Sequence, residues 1–366
     1  MNRKSKKIWS ALAVSLALSA SFVSADNMMD SKNNSASSKG TLGVITPAVN
    51  PVTANGVNLD FSAEALCYRM TESNAPSVQQ NSPAATYPTG SLGALRNGAY
   101  NNVNRDWDWG FRVNLGYVPD HDGWKVDATY TWFRTKQVRN FGAPNNTQAV
   151  VSQVASPNID VSPWVGIVSQ KMHSVSTAQL NQGDLRLGRN FFVSKWLALN
   201  PHFGARGFWF DRYYRLSPVT LTKDSATGVA GLTSVKTLVT NTYGAGGIFA
   251  GLDADFMFGD GWSMFATFDQ AIVYGRSKSS RTEIDTAGIK YTRSNACNNA
   301  NYARTITDLS VGLRWVYLFA DDAARFSVQA AWEEHLFSNL NNGQLYPLSG
   351  GDVALTGVTF GVKFDF

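Results

Sequence analysis

The chain has 366 residues, a formal net charge of +5, only 16% charged residues, and 11 Trp, 13 Tyr and 21 Phe. Four Lys/Arg and no acid fall in the first 25 residues, so the rest stands at +1 and carries no basic stripe to suggest a nucleic-acid partner. The absence of a later run long enough for a membrane helix argues against a helical membrane class, and charge this far below the soluble average of about 25%, with many aromatics, suits a barrel with one lipid face and one polar face.

Arg3, Lys4, Lys6 and Lys7 precede an apolar stretch from Ile8 to Val23, and Val23-Ser24-Ala25 places small residues ahead of Asp26. That order predicts a secretory signal peptide over residues 1–25. Residues 26–56 are rich in Asn, Ser, Ala and Lys, then in Gly, Pro and Val, and read as a flexible lead-in. From Val57 to Phe366 the dominant period is two, as expected of a transmembrane β-barrel.

Ten segments carry this alternation. In the first, Val57, Leu59, Phe61, Ala63 and Ala65 oppose Asn58, Asp60, Ser62 and Glu64. The two clearest follow, with Trp107, Trp109, Phe111, Val113, Leu115 and Tyr117 on one face, then Trp124, Val126, Ala128, Tyr130 and Trp132. Weaker or equal patterns run through Leu185–Leu187, Leu197–Trp209, Ile248–Phe258, Trp262–Phe268 (Phe265 being out of step), Leu309–Phe319 and Phe326–Trp332. The last has Val358, Phe360, Val362, Phe364 and Phe366 against Thr359, Gly361, Lys363 and Asp365.

The connections alternate between short and long. Short ones are read at Pro119–Gly123, Ser194-Lys195, Asp260-Gly261 and Asp321–Ala323, and long ones at about 73–106, 138–181, 213–241, 278–304 and 338–352. Ten strands with every long connection at one end predict an antiparallel outer-membrane β-barrel with tight periplasmic turns, long extracellular loops and periplasmic termini. Residues 147–155 and 159–168, around Ser156-Pro157-Asn158, are where extra strands would raise the count toward twelve. Aromatics form two belts: Tyr117, Trp124, Trp196, Phe258, Trp262 and Phe319 beside the tight turns, and Trp107, Trp109, Trp132, Trp209, Tyr274, Trp332 and Phe337 about one crossing away. Large residues at strand ends, rather than mid-strand, favour lipid over a soluble core on that face.

The polar face then lines the barrel. Arg112, Lys125, Asp127, Arg206, Asp253, Asp255, Asp269, Asp308, Arg314, Arg325, Glu333 and Lys363 form either a salt-bridge network that fills the lumen or a hydrated pore that sets ion preference. A ten-strand barrel has a narrow interior, since eight strands are already filled by side chains.

The phrases WDWGFRVNLGY, DGWKVDATYTWFRTK, DLRLGRNFFVSKWLALNPHFGARGFW and LFADDAARFSVQAAWEEHLF resemble the Legionella-type major outer membrane protein family, which takes in similar proteins of chlamydia-related bacteria. The resemblance runs from about Leu59 to Phe366. It implies a porin-like, abundant, surface-exposed protein passing small hydrophilic solutes, and no catalytic residues; the alternative is a closed barrel acting as adhesin or envelope scaffold through its loops. Chlamydial members are Cys-rich, whereas this chain has only Cys67 and Cys297, which leaves a disulfide between them open and a cross-linked scaffold unsupported.

No GxSxG, HExxH, Walker-type loop or CxxC is present, so no enzyme, metal site or cofactor is expected. Of four histidines, His121 falls in a tight turn, His173 near a loop, His202 low on an inward position, and His335 beside Glu333 near the outer rim; that last pair is the one geometry suited to general-base work, but a His beside carboxylates reads first as an interior salt-bridge member. Asp253/Asp255 and Asp321/Asp322 read as lumen and turn residues. Expected partners are outer-membrane lipids, the barrel-assembly machinery reading Phe366, small hydrophilic solutes, host or matrix ligands at the loops, and a second copy of the chain.

Overall fold

A computed structural model of the chain describes residues 58–73, 78–81, 99–101, 105–118, 124–142, 149–152, 168–169, 171–194, 196–220, 236–284, 290–294, 300–319, 324–342 and 350–366. The signal-peptide segment, the lead-in, His121, Lys195, Cys297 and the turns at 119–123 and 321–323 lie outside the described residues.

Ten long antiparallel strands form the body. They are β1 (Asn58–Glu72), β2 (Trp107–Val118), β3 (Trp124–Gly142), β4 (Lys171–Arg189), β5 (Leu197–Thr220), β6 (Lys236–Gly259), β7 (Trp262–Ile284), β8 (Ala300–Phe319), β9 (Ala324–Asn342) and β10 (Gly350–Asp365). Each pairs with its neighbours in sequence, and β1 pairs with β10, so the sheet closes as a ten-stranded barrel. Closure leaves no unpaired edge, which is what lets strands cross a bilayer. The seam is held at its end by Leu59 N–H to Phe366 O (2.9 Å) and Phe366 N–H to Leu59 O (3.0 Å).

Two features differ from the sequence reading. The strands run further toward the long connections than the alternation showed: β3 continues to Gly142, β5 to Thr220 and β9 to Asn342. At 24 residues, β5 and β6 are more than twice the 9–11 residues that cross a bilayer, so the barrel projects beyond the membrane at that end. The short strands Ala149–Ser152 and Val168–Ser169 do exist, yet they add nothing to the barrel circumference. They pair with Val78–Asn81 and Ala99–Asn101 as a separate four-stranded sheet joining the first two long connections.

The turn at Asp260-Gly261 is a two-residue hairpin, with Gly259 paired to Trp262. Both loop residues have positive φ (52° and 77°), the condition that makes Asp-Gly the preferred filling for such a turn. At the next described tight turn, Ser194 Oγ accepts from the backbone N–H of Trp196 (3.2 Å) and Leu197 (3.1 Å), while Val193 N–H donates to Leu197 O.

Side-chain facing follows strand parity. Trp109, Leu115, Phe203, Ile248, Leu313, Trp332 and Phe360 are exposed on the outside, while Asp60, Asn114, Thr129, Arg186 and Asp253 are buried inside. A band of bare hydrophobic side chains around a polar interior is stable only against lipid. One aromatic departs from the expected belts. Phe337, assigned to the outer girdle, is 3% exposed and points into the lumen, because it shares parity with Glu333 and His335. Phe265, out of step in the sequence, also points inward, beneath the Arg314 guanidinium (4.7 Å).

Candidate functional site

The twelve residues expected to line the barrel all face the lumen, and none exceeds 7% exposure. They assemble into continuous layers because every second residue of ten strands converges on a bore too narrow to leave charges solvated.

Nearest the tight turns, Lys125 lies 2.6 Å from Asp60 and 2.8 Å from Asp127, and Lys363 lies 2.8 Å from Asp365, which Arg325 holds at 2.7 Å. Arg186, with no exposed side-chain surface, bridges Asp127 (3.0 Å) and Asp253 (2.9 Å). Arg314 reaches Asp255 at 3.2 Å. Asp253 and Asp255 are therefore committed to guanidinium partners, in keeping with a lumenal rather than a metal-binding role.

The next layer is built across the bore. Arg112 of β2 holds Glu64 of β1 and Glu333 of β9, both at 2.8 Å. Arg206 of β5 holds Asp184 of β4 (2.8 Å) and Asp308 of β8 (2.6 Å). The Tyr68 hydroxyl donates to Glu333, and Gln329 Nε2 donates to Glu64 Oε1 at 2.9 Å. His202 faces Asp269 at 2.6 Å. His335 sits here, not at the outer rim: its ring nitrogens contact Asp308 (2.8 Å), Tyr68 (3.2 Å) and Glu333 (3.2 Å). Those contacts hold the ring on the lumenal side of β9. His173 bonds Asn140 across β3 and β4 near their outer ends.

An internal cavity of 40 Å³ lies among these side chains, beside Arg112, Arg206, Asp269, Asp308, Glu333 and His335. That is room for about two or three waters. Among the described buried residues ten carboxylates face ten Lys/Arg.

Above the charges the lumen turns apolar, which the sequence reading missed. Leu66, Met70, Phe133, Leu180, Phe208, Phe210, Phe249, Ile306, Phe337 and Leu355 form one buried cluster. Phe208 of β5 stacks on Phe337 of β9 with ring centroids 5.2 Å apart, although three strands separate them around the wall. The contact reaches from one wall of the bore to the other. These positions continue the inward parity of the polar face, which was the available signal.

Cys67 is half-buried and points outward from β1, as its parity with Ala63 and Ala65 requires; its proposed partner Cys297 lies outside the described residues.

Several solved structures share the barrel architecture. They include the outer membrane protease OmpT from Escherichia coli (10% identity, TM-score 0.42, covering 86% of this chain and 100% of that one). A major outer membrane protein from Thermus thermophilus gives 10% identity and TM-score 0.33 over 85% of this chain and 100% of that one. A Pseudomonas aeruginosa FadL homologue gives 8% and 0.25 over 87% and 92%. None of these distant likenesses bears on activity. No curated protein sequence matches. The sequence profile described as "Legionella pneumophila major outer membrane protein precursor" matches residues 51–366, the whole of the barrel just described, and the chain belongs to that family of bacterial outer-membrane proteins.

Proposed function

We propose that this chain works as a closed outer-membrane barrel, an abundant envelope and surface protein whose long connections face the outside and whose termini face the periplasm. The observation that carries the reading is the Phe208–Phe337 stack across the bore, set above the cross-lumen ion pairs of Arg112 and Arg206. A lumen so filled has no aqueous path, and the exposed work falls to the loops, which would meet host or matrix ligands. On this reading the protein is not an enzyme; His335, its best acid–base candidate, is tied to Asp308 and Glu333 inside the wall. Purified protein in planar bilayers is expected to give no discrete conductance steps under conditions where a control porin conducts. Regular steps from the wild-type chain would overturn the closed reading.

A porin-like channel for small hydrophilic solutes is the second reading. The mixed-sign polar lining from the tight turns to mid-lumen favours it, as does the resemblance of the sequence to porin-like relatives. It requires the apolar layer to part. Part of that layer is small (Ala178, Ala245 and Ala271), and parting there would give conductance in the unmodified protein.

A further inference from the structure

Two strands on different sides of the barrel carry the same short pattern on their outward face. On β3 it is Trp132-Phe133-Arg134-Thr135-Lys136, and on β7 it is Tyr274-Gly275-Arg276-Ser277-Lys278. In each, an aromatic, an arginine and a lysine take successive outward positions, while Phe133, Thr135 and Ser277 are buried inside. Trp132 and Tyr274 belong to the aromatic girdle at the long-connection end. A strand rises about 3.3 Å per residue and tilts by roughly 40°, so each arginine lies about 5 Å beyond its ring and each lysine about 10 Å. The hydrocarbon core gives way there to about 5–7 Å of headgroups, which is the depth the arginines occupy.

The wall does not claim these cations. All four are exposed, and none of their side chains makes an ion pair or hydrogen bond among the described residues. The register flanks Tyr274 with Gly246 and Ala303, and Arg276 with Gly244 and Asn301. A Cβ on Gly246 would meet nothing within 4 Å, so the face beside the Tyr274 ring is open. On the other strand Arg134 lies opposite Gln179 and Lys136 opposite Thr177, both uncharged. Asp211 lies beyond Gln179, one strand further round.

Outward charge is also one-sided. Among the described outward positions at this end, those four stand with Arg69, Arg215 and Lys236 against Asp211, Glu334 and Asp352. Toward the tight turns, the described outward positions carry one charged side chain, Arg189. An excess of cations that continues the lipid-facing band just past its girdle complements a leaflet with anionic headgroups. We propose that β3 and β7 each hold the phosphate-bearing headgroup of a lipid in that leaflet. Arg134 or Arg276 grips the phosphate through its planar fork, and Lys136 or Lys278 adds a point charge above it. Trp132 or Tyr274 packs below, where the lipid turns apolar. The sites stand whether the bore is shut or open, and only their assignment to the outer leaflet rests on the orientation proposed above.

Native mass spectrometry of the full-length folded protein, released from neutral detergent containing bisphosphorylated lipid A, counts the bound lipid and gives its affinity. The wild type is expected to retain two molecules, and to hold the same lipid stripped of its phosphates, or inorganic phosphate, about tenfold more weakly or worse. Arg276→Gln combined with Lys278→Gln is expected to retain one lipid, and adding Arg134→Gln and Lys136→Gln none. These exposed side chains have no partners to lose, so the variants should fold. Arg189→Gln, at the other end, is expected to leave both lipids bound. Equal retention of the dephosphorylated lipid would make the contact an apolar one, and equal retention of inorganic phosphate would make it a free-anion site. Two lipids still held by the fourfold variant would place them elsewhere. Each of these results would overturn the assignment.

Discussion

Arg206 Nη1 lies 2.6 Å from Asp308 Oδ2, a bond from β5 to β8 that spans the bore, since β6 and β7 separate these strands around the wall. The same guanidinium holds Asp184 of the neighbouring strand, so a single buried cation satisfies two carboxylates. Removing one member of a buried pair leaves an uncompensated charge, whereas breaking an exposed pair costs little. Arg206→Ala is therefore expected to destabilise the barrel by about 3–5 kcal/mol. Arg139→Ala, which breaks an exposed bridge to Asp106, is expected to cost under about 1 kcal/mol. Urea titration of the folded protein in detergent measures both, and equal costs would show the Arg206 bridge to be solvated.

The stacked rings of Phe208 and Phe337 give a second measurement. Each Phe→Ala substitution at a fully buried site is expected to cost about 3–5 kcal/mol. The decisive quantity is their coupling: a double-mutant cycle should return about 0.5–1.5 kcal/mol for a direct aromatic contact. Purely additive effects would mean that the rings do not meet and that the bore is open at this level.

Gly246 and Gly247 are neighbours on β6 with opposite expectations. A Cβ on Gly246 points into open space, while one on Gly247 comes within 2.0 Å of the Ile272 carbonyl oxygen on β7. Gly247→Ala must push two paired strands apart and is expected to cost about 1–3 kcal/mol. Gly246→Ala should be nearly neutral, within about 0.5 kcal/mol, as for a surface position free of contacts. Similar unfolding midpoints for the two variants would contradict this register of β6 against β7.

Phe366 separates closure from recognition. Its two seam bonds to Leu59 are made by the backbone, while its ring is exposed on the lipid face. Phe366→Ala should refold in detergent as well as the wild type but reach the outer membrane of cells at a lower level, where assembly machinery would read the ring. Deleting Phe366 should reduce both, because the seam bonds go as well. A wild-type level of Phe366→Ala in cells would remove the ring from any recognition role.

The ten crossings were legible because lipid on one side and polar packing on the other impose period two, and Trp107 to Tyr117 or Val358 to Phe366 show nothing else. The outer halves of the strands were not. Beyond Ala65, Trp132 and Trp332 apolar residues enter inward positions (Leu66 and Met70, Phe133, Phe337) while charged residues take outward ones (Arg69, Arg134 and Lys136, Glu334), so the apolar-out, polar-in alternation that marks a membrane strand is lost. The same change hid the apolar layer and misplaced Phe337, because an aromatic near a strand end reads as a girdle residue when its partner across the bore is unknown.

The barrel class, its ten strands, the hairpin at Asp260-Gly261 and the inward face of the charges are thus written in the residues alone, since each follows from local parity or turn chemistry. What those charges do is settled at the level of the closed sheet. Whether Arg206 borders a water-filled channel or meets Asp308 depends on the width of the bore, and that is set by the closing of β1 on β10. The ion pairs of Glu72 with Arg105 and Arg212 depend on it equally: residues from three separate parts of the chain meet only when the sheet has closed and brought its opposite walls within reach of one side chain.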